Sequence, residues 1–364
     1  TTVNFAENYI TADEIKSLIN VMNIISDPNS NIDQVSSDID FSKFDENLYP
    51  GNQNILLSSA IMHASLSDEL LALNDDVLFV PTYNQNSETL VDQVRFDNIS
   101  GTDYIIKAEV KAIINSFLGL GYNDLDSLNA TIEPGEFFNN IDLYLSSVSF
   151  HATISKKILE ANNPSLIIPN RDIDDLYDVQ IVQTDLTYIE HDEVKYLIEA
   201  LSILGINDFS TQISGDSVTS LNEQELNDIL RSGSMHLTIE GMIQDNNNIT
   251  VPDLALDDLF ALTNIITKAE VVNFILATST VAGTNADITD VSFDLNAILA
   301  LTPAERLIVL ESMIVRNVIT PQIETIASNP FDPYPLANED YMNNDPATFL
   351  TKAAILAFID DYES

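Results

Sequence analysis

The stretch YIIKAEVKAIINSFLGLG, residues 104–121, carries the clearest structural signal in the chain. Its apolar residues Val110, Ile113, Ile114 and Phe117 fall at positions i, i+3, i+4 and i+7. That spacing places them on one face of an α-helix. Gly121 follows the stripe where a glycine commonly ends a helix. The stretch therefore predicts an amphipathic helix that packs its apolar face against another element.

The same pattern returns along the chain, at intervals of 77 to 95 residues. It consists of two apolar residues, three variable residues, a glutamate and then Ile or Val. Recurrence of one pattern along a chain is typical of repeat proteins. The copies begin at Tyr9, Tyr104, Tyr188, Ile265 and Phe349, and the glutamate position holds Glu14, Glu109, Glu193, Glu270 and, in the fifth copy, Ala354. Thr11 with Glu14 and Thr267 with Glu270 have the spacing of capping boxes.

Two further blocks follow each of the first four copies of the helix. The first contains His63, His151 or His236, with Asn317 at that place in the fourth copy. We predict a second helix that ends near this residue and a third helix capped by Ser67, Ser155 or Thr320, since Ser and Thr favour helix N-termini. Pro321 would then occupy the first helical position. The last block is a short extended segment before proline, at residues 78–81, 166–169 and 249–252.

These patterns predict a mainly α-helical chain of tandem repeats of about 80–95 residues, each with about three helices and a short extended or β element. The repeat boundaries are 1–103, 104–187, 188–264 and 265–348, and residues 349–364 begin a truncated fifth repeat. The sequence leaves open whether the repeats stack as a solenoid or follow one another as beads. It also leaves open whether the extended segments pair within a unit or across chains.

The composition excludes several classes of protein. The 364 residues include 14 Lys and Arg but 57 Asp and Glu, for a net charge of −43. Binding to nucleic acid phosphates or to anionic membranes requires clustered basic residues. Disorder is also excluded, because 45% of the residues are hydrophobic. The chain has no cysteine, which fits an exported protein, and no apolar run approaches the ~20 residues of a membrane span.

The three equivalent histidines allow two interpretations. Histidine is a common metal ligand, so His63, His151 and His236 could bind a metal. They could instead lie between helices and bond a backbone carbonyl. The second interpretation is favoured, because the three residues are far apart in sequence and Asn317, a poor metal ligand, replaces the fourth.

One acidic loop resembles a calcium-binding loop in the alternation of its oxygen donors. The candidate ligands are Asp27, Asn29, Asn31, Asp33 and Asp38. The pattern of an EF-hand requires Gly where Ile32 stands and Glu where Asp38 stands. Calcium is therefore the one candidate cofactor, and a solvated acidic loop is the alternative.

Catalytic motifs are absent from the sequence: it has no glycine-rich phosphate loop, no G-x-S-x-G and no H-E-x-x-H. We therefore expect a non-enzymatic structural or adhesive repeat region of a larger exported protein, extracellular or at the cell surface, that self-associates or binds other surface proteins or glycans. The alternative is a helical binding module that recognises a protein or glycan through the loops at roughly 27–52, 122–139, 206–223 and 283–302.

Overall fold

The computed structural model describes residues 12–25, 40–73, 78–80, 105–123, 134–138, 140–168, 189–251, 266–327, 336–337 and 349–364. Over these residues the chain is mainly helical with almost no strand, which confirms the predicted α class. The chain divides into two compact units. The first comprises Thr1–Ala161 with Asn170–Lys195, and the second comprises Asn162–Pro169 with Tyr196–Ser364.

The elements of the first half are helices of very different lengths. They are α1 (Ala12–Ile25), a 3-10 turn (Phe41–Phe44), α2 (Asn52–Leu56), α3 (Ala60–Ala72), α4 (Lys107–Gly119), α5 (Pro134–Phe137), α6 (Ile141–Leu145) and α7 (Val148–Glu160). Buried aromatic rings fill the space between them: Phe117 stacks near Phe41 and meets Phe150 edge-on, with ring centroids 6.1 and 5.2 Å apart.

The second half contains further helices and two very short strands. They are α8 (His191–Ile203), α9 (Gly215–Thr219), α10 (Glu223–Ile229), α11 (Gly233–Gln244), α12 (Lys268–Ala282), α13 (Leu295–Leu299), α14 (Pro303–Val309), α15 (Met313–Ile326), β1 (Leu336–Ala337), β2 (Phe349–Leu350) and α16 (Lys352–Glu363). The strands pair antiparallel, with Leu336 opposite Leu350. Two short helices, α9 with α10 and α13 with α14, stand where one was expected.

The predicted apolar stripes are confirmed as buried faces in α4 and α12. Val110, Ile113 and Ile114 are fully buried, as are their counterparts Val271, Phe274 and Ile275. Glycines end these helices as predicted: Gly121 and Gly283 have φ values of 87° and 96°, which favour a residue without a Cβ atom. The exception is α1, where Ile15 and Ile19 remain 46% and 49% exposed.

The prediction for the third helix is wrong about where it begins. The histidine does not end a helix: α3, α7, α11 and α15 each begin three or four residues before that position and continue past it. Their N-caps are earlier serines, whose side chains accept a hydrogen bond from the backbone N–H three residues later: Ser59, Ser147, Ser232 and Ser312. Ser67, Ser155 and Thr320 are therefore inside helices, and Pro321 lies inside α15.

Candidate functional site

Buried carboxylates connect the long helices to each other. Glu109, on the first turn of α4, is 1% exposed and lies at the N-terminus of α7. Its carboxylate accepts hydrogen bonds from the Ser147 hydroxyl at 2.8 Å and from the backbone N–H groups of Val148 and Ser149 at 3.0 and 2.9 Å. A helix N-terminus has free N–H donors and a partial positive charge, so a carboxylate is the group that satisfies both.

The same three contacts occur at two other glutamates. Glu14 on α1 accepts from Ser59 and from the first N–H groups of α3. Glu270 on α12 accepts from Ser312 and from the first N–H groups of α15. Burial raises the pKa of Glu109 and of Glu270, while the donors around each carboxylate oppose that rise.

These contacts revise the predicted capping box at Glu270. Thr267 does accept from the Glu270 backbone N–H, as a helix cap should. The Glu270 carboxylate, however, goes to α15 instead of returning to Thr267. The contact joins residues 42 apart, so local spacing could not reveal it.

The histidines bind backbone carbonyls, as the favoured interpretation predicts. Nε2 of His63, His151 and His236 lies 2.6, 2.6 and 2.7 Å from the carbonyl oxygens of Ile105, Ile189 and Ile266. A carbonyl can only accept, so Nε2 carries the proton in each ring. Burial lowers the pKa of His63, and lowers that of His151 to about 4.

Arg316, and not Asn317, occupies the corresponding place in α15. Both His151 and Arg316 lie four residues after the serine that caps their helix. The guanidinium of Arg316 lies over the ring of Phe349, 5.0 Å from its centroid. Asn317 instead donates from Nδ2 to the carbonyl oxygen of Thr250. Residue type alone pairs Asn317 with the histidines, whereas the distance from the helix start pairs Arg316 with them.

The extended segments bind helices within the same chain. The Phe79 N–H donates to the hydroxyl of Thr153 on α7 at 2.7 Å, and the Ile167 N–H donates to Thr238 on α11 at 2.9 Å. Each threonine hydroxyl in turn donates to a carbonyl one turn earlier in its own helix. Over the described residues these segments therefore make intrachain contacts.

Two buried asparagines, which the sequence analysis missed, hold the loops that follow the long helices. Asn163 Nδ2 donates to the carbonyl of Thr211, and Asn246 Nδ2 donates to the carbonyls of Ile288 and Val291. Their shared position, three residues before the extended segment, was the available signal. Each asparagine therefore hydrogen-bonds the backbone of a loop that follows a long helix.

A cavity of about 370 Å³ lies where α12, α15 and the start of α16 meet, and its walls include Glu270, Arg316, Lys352 and Ala353. Its ionisable groups already have partners: Glu270 caps α15, Arg316 stacks on Phe349, and Lys352 pairs with Glu311. This arrangement is that of a packing interface and does not resemble a nucleophile with a base.

The predicted calcium ligands Asp27, Asn29, Asn31, Asp33 and Asp38 lie outside the described residues. Within the described ranges, no three His, Cys, Asp or Glu side chains group as metal ligands would. Among the helices that are described, none has both the length and the apolar character needed to span a membrane.

Comparison with protein-family models, with curated proteins and with solved structures finds no match for this chain.

Proposed function

We propose that this chain is a non-enzymatic structural or adhesive segment of a larger exported protein, built from tandem helical repeats. The observation that carries the proposal is the recurrence of two buried contacts. A glutamate on one long helix caps the next long helix, as Glu109 caps α7. A histidine on that next helix then binds the backbone just before the following one, as His151 binds Ile189.

These contacts use polar groups to join helices, and they leave those groups unable to do chemistry. A general base needs access to a substrate proton, whereas Glu109 and Glu270 are almost completely buried beneath a helix N-terminus. A histidine whose Nε2 donates to a carbonyl has lost that nitrogen as a metal ligand. Recurring hydrogen-bonded contacts between helices suit a chain that must keep its structure under mechanical force.

The charge supports an exposed, well-solvated surface. A net charge of −43 keeps a protein soluble and repels other acidic molecules. An extracellular stalk or filament subunit is compatible with that surface, and association between copies would then depend on apolar patches and on salt.

Mechanical unfolding tests the structural proposal directly. Pulled between its ends, a tandem-repeat chain should unfold in successive steps, each releasing roughly 25–30 nm of chain, as expected for extending about 80 residues. Glu109→Ala should lower the force of one step and leave the others unchanged. Unfolding in a single step that spans the whole chain would contradict the repeat organisation.

A binding module is the second candidate, and the hydrogen bonds that hold two of the variable loops favour it. The loops held by Asn163 and Asn246 lie in the segments 206–223 and 283–302, which differ most between copies. Backbone that is ordered before binding loses less entropy when a ligand arrives. The test is whether the monomer captures one glycan or protein. Capture that is lost when these two loops are exchanged, but kept when residues 122–139 are exchanged, would replace the structural proposal with this one.

Calcium binding remains a separate proposal, on the loop 27–38. A ligand that binds only the folded state raises the melting temperature. We expect a higher melting temperature in millimolar Ca²⁺ than in Mg²⁺ at matched ionic strength, and no such difference in a variant with Asp27→Asn and Asp33→Asn. Equal melting in the two cations would mean that the carboxylates only attract counterions.

A further inference from the structure

One side chain on α11 is a carboxyl where the equivalent helices carry a hydroxyl. The residue eight positions after the N-cap serine is Ser67 in α3, Ser155 in α7 and Thr320 in α15, but Glu240 in α11. All four residues are buried, and Glu240 is 5% exposed. The same position therefore holds a neutral polar group in three helices and an ionisable group in the fourth.

The surroundings of Glu240 suit a neutral carboxyl group better than a carboxylate. Its Oε1 accepts a hydrogen bond from Nε2 of Gln244, one turn later on α11, at 2.7 Å. Its Oε2 is buried and makes no hydrogen bond of standard geometry to the described residues. A buried carboxylate is stabilised by a cation or by several donors. Glu270 has three such donors, whereas the hydrogen bond to Glu240 comes from one neutral amide.

Glu240 lies where α11 meets the start of α12. One turn earlier on α11, Nε2 of His236 donates to the carbonyl oxygen of Ile266, and the backbone of Ile266 also acts on the Glu240 carboxyl. Ile266 is followed directly by Thr267, the N-cap of α12. We call His236, Glu240 and Ile266 together the α11–α12 contact. A change of charge at Glu240 therefore acts on the residue that leads into α12.

The other charged or titratable groups of the elements that meet here lie on α11 and α12. They are His236 on α11 and Lys268 and Glu270 on the first turn of α12. The Glu270 carboxylate is held by α15. The segment 166–168, which binds α11 through the Ile167 N–H, carries no titratable side chain. Burial is the main influence on Glu240 and raises its pKa to about 7, so this carboxyl changes charge near neutral pH.

We propose that the α11–α12 contact is a pH-sensitive switch, in which ionisation of Glu240 releases α11 from the start of α12. At acidic pH the neutral carboxyl stays buried beside Gln244. At higher pH the carboxylate gains hydration when the contact opens, because an ionised group is costly to keep away from water. The hydroxyls of Ser155 and Thr320 do not ionise, so the equivalent contacts stay closed. The response to pH does not depend on the proposed structural role of the chain.

Hydrogen exchange of the full-length chain at pH 5 and pH 8, corrected for the intrinsic exchange rates, tests the release. We expect the opening equilibrium constant of α11 to rise roughly 50–100-fold between these pH values. That factor follows for a carboxyl that titrates at about 7 in the closed contact and at 4.5 when it is open to water. Helix α15 is the internal reference: Thr320 stands there in place of the glutamate, so its opening constant should not change.

Two substitutions separate the charge of Glu240 from its packing. Glu240→Gln keeps the size and polarity of the side chain but cannot ionise, so it should abolish the pH dependence and retain the protection of α11 at pH 5. Glu223→Gln is the matched control, because it removes the same charge from an exposed position on α10. This control should leave the pH dependence of α11 unchanged.

Thiol labelling provides a second measurement, since the chain has no native cysteine. Ile243 and Ile323 occupy equivalent positions in α11 and α15 and are 0% and 1% exposed. Ile243→Cys and Ile323→Cys are labelled separately, and the ratio of their rates cancels the pH dependence of the thiolate itself. We expect the rate at position 243, relative to that at position 323, to rise roughly 10-fold between pH 6 and pH 8.

Three results would overturn the proposal. Unchanged protection of α11 between pH 5 and pH 8 would mean that the carboxylate reaches water without opening the contact. An equal loss of protection in α11 and α15 would mean that the whole compact unit responds to pH. A pH dependence that survives Glu240→Gln would assign the effect to another group. If Glu240→Gln does not fold, the ratio of the thiol-labelling rates decides, and a constant ratio overturns the proposal.

Discussion

Glu109→Ala should be among the most destabilising single changes in the first compact unit. The carboxylate accepts three hydrogen bonds at the start of α7. At 1% exposure of the residue, water cannot take over those bonds without opening the interface between α4 and α7. The alanine variant therefore leaves the Val148 and Ser149 N–H groups buried and unbonded.

The magnitude follows from those two donors. An unsatisfied buried polar group costs about 1–3 kcal/mol, so two backbone N–H groups cost roughly 2–6 kcal/mol together. The Ser147 hydroxyl adds little, because it can rotate and it still accepts from the Phe150 N–H. Loss of the negative charge at the N-terminus of α7 lowers the free energy of unfolding by a further ~0.3–1 kcal/mol.

Glu14→Ala is the matched control. Glu14 makes the same three contacts to Ser59 and the start of α3, but its side chain is only partly buried. Water can therefore reach the N–H groups that the variant frees. The expected loss is about 1 kcal/mol, the usual cost of removing an exposed helix cap.

Urea denaturation followed by circular dichroism measures both variants, with hydrogen exchange of the α7 amides for Glu109→Ala and of the α3 amides for Glu14→Ala. Hydrogen exchange assigns the loss to one region, which matters in a chain with two compact units. Equal losses in Glu109→Ala and Glu14→Ala, or a loss below about 1 kcal/mol in Glu109→Ala, would refute the argument that burial sets the strength of these caps.

Three other changes give distinct expectations. Burial raises the pKa of Glu240 from 4.5 to about 7, so the stability that its protonated form contributes is lost as the pH rises from about 4.5 through 7. This loss changes the free energy of unfolding by up to about 1.4 kcal/mol per pH unit. Glu240→Gln should remove the dependence in urea titrations at pH 5 and 8. Gly215→Ala places a Cβ atom 2.1 Å from Asp287 Oδ1 and should cost about 1–3 kcal/mol of stability, measured by thermal melts. Gly241→Ala, whose Cβ atom makes only ordinary contact inside α11, should stabilise the protein slightly in the same assay. His236→Leu leaves the buried carbonyl of Ile266 without its donor and should cost about 1–3 kcal/mol, measured from the urea midpoint. His236→Gln should lose only part of that stability.

Local patterns were sufficient for the helices but not for their starts. The stripe at Val110, Ile113 and Ile114 predicts α4 and its buried face, because apolar spacing is a property of the helix itself. The start of α7 was missed because two serines, Ser147 and Ser155, are both acceptable caps by residue type. Ser147 is the cap in the structure, where Glu109 binds its hydroxyl.

The sequence by itself determined that the chain is mainly helical and which faces of α4 and α12 are apolar. It also determined that Gly121 and Gly283 end these helices, and that three histidines occupy equivalent positions: His63, His151 and His236. Only the tertiary structure decided what the polar groups do. Glu109 reaches Ser147 across 38 residues, and His151 reaches Ile189 across the same distance in sequence. Helical periodicity is written in neighbouring residues, whereas a hydrogen bond between helices depends on how those helices pack, and residue spacing does not encode that arrangement.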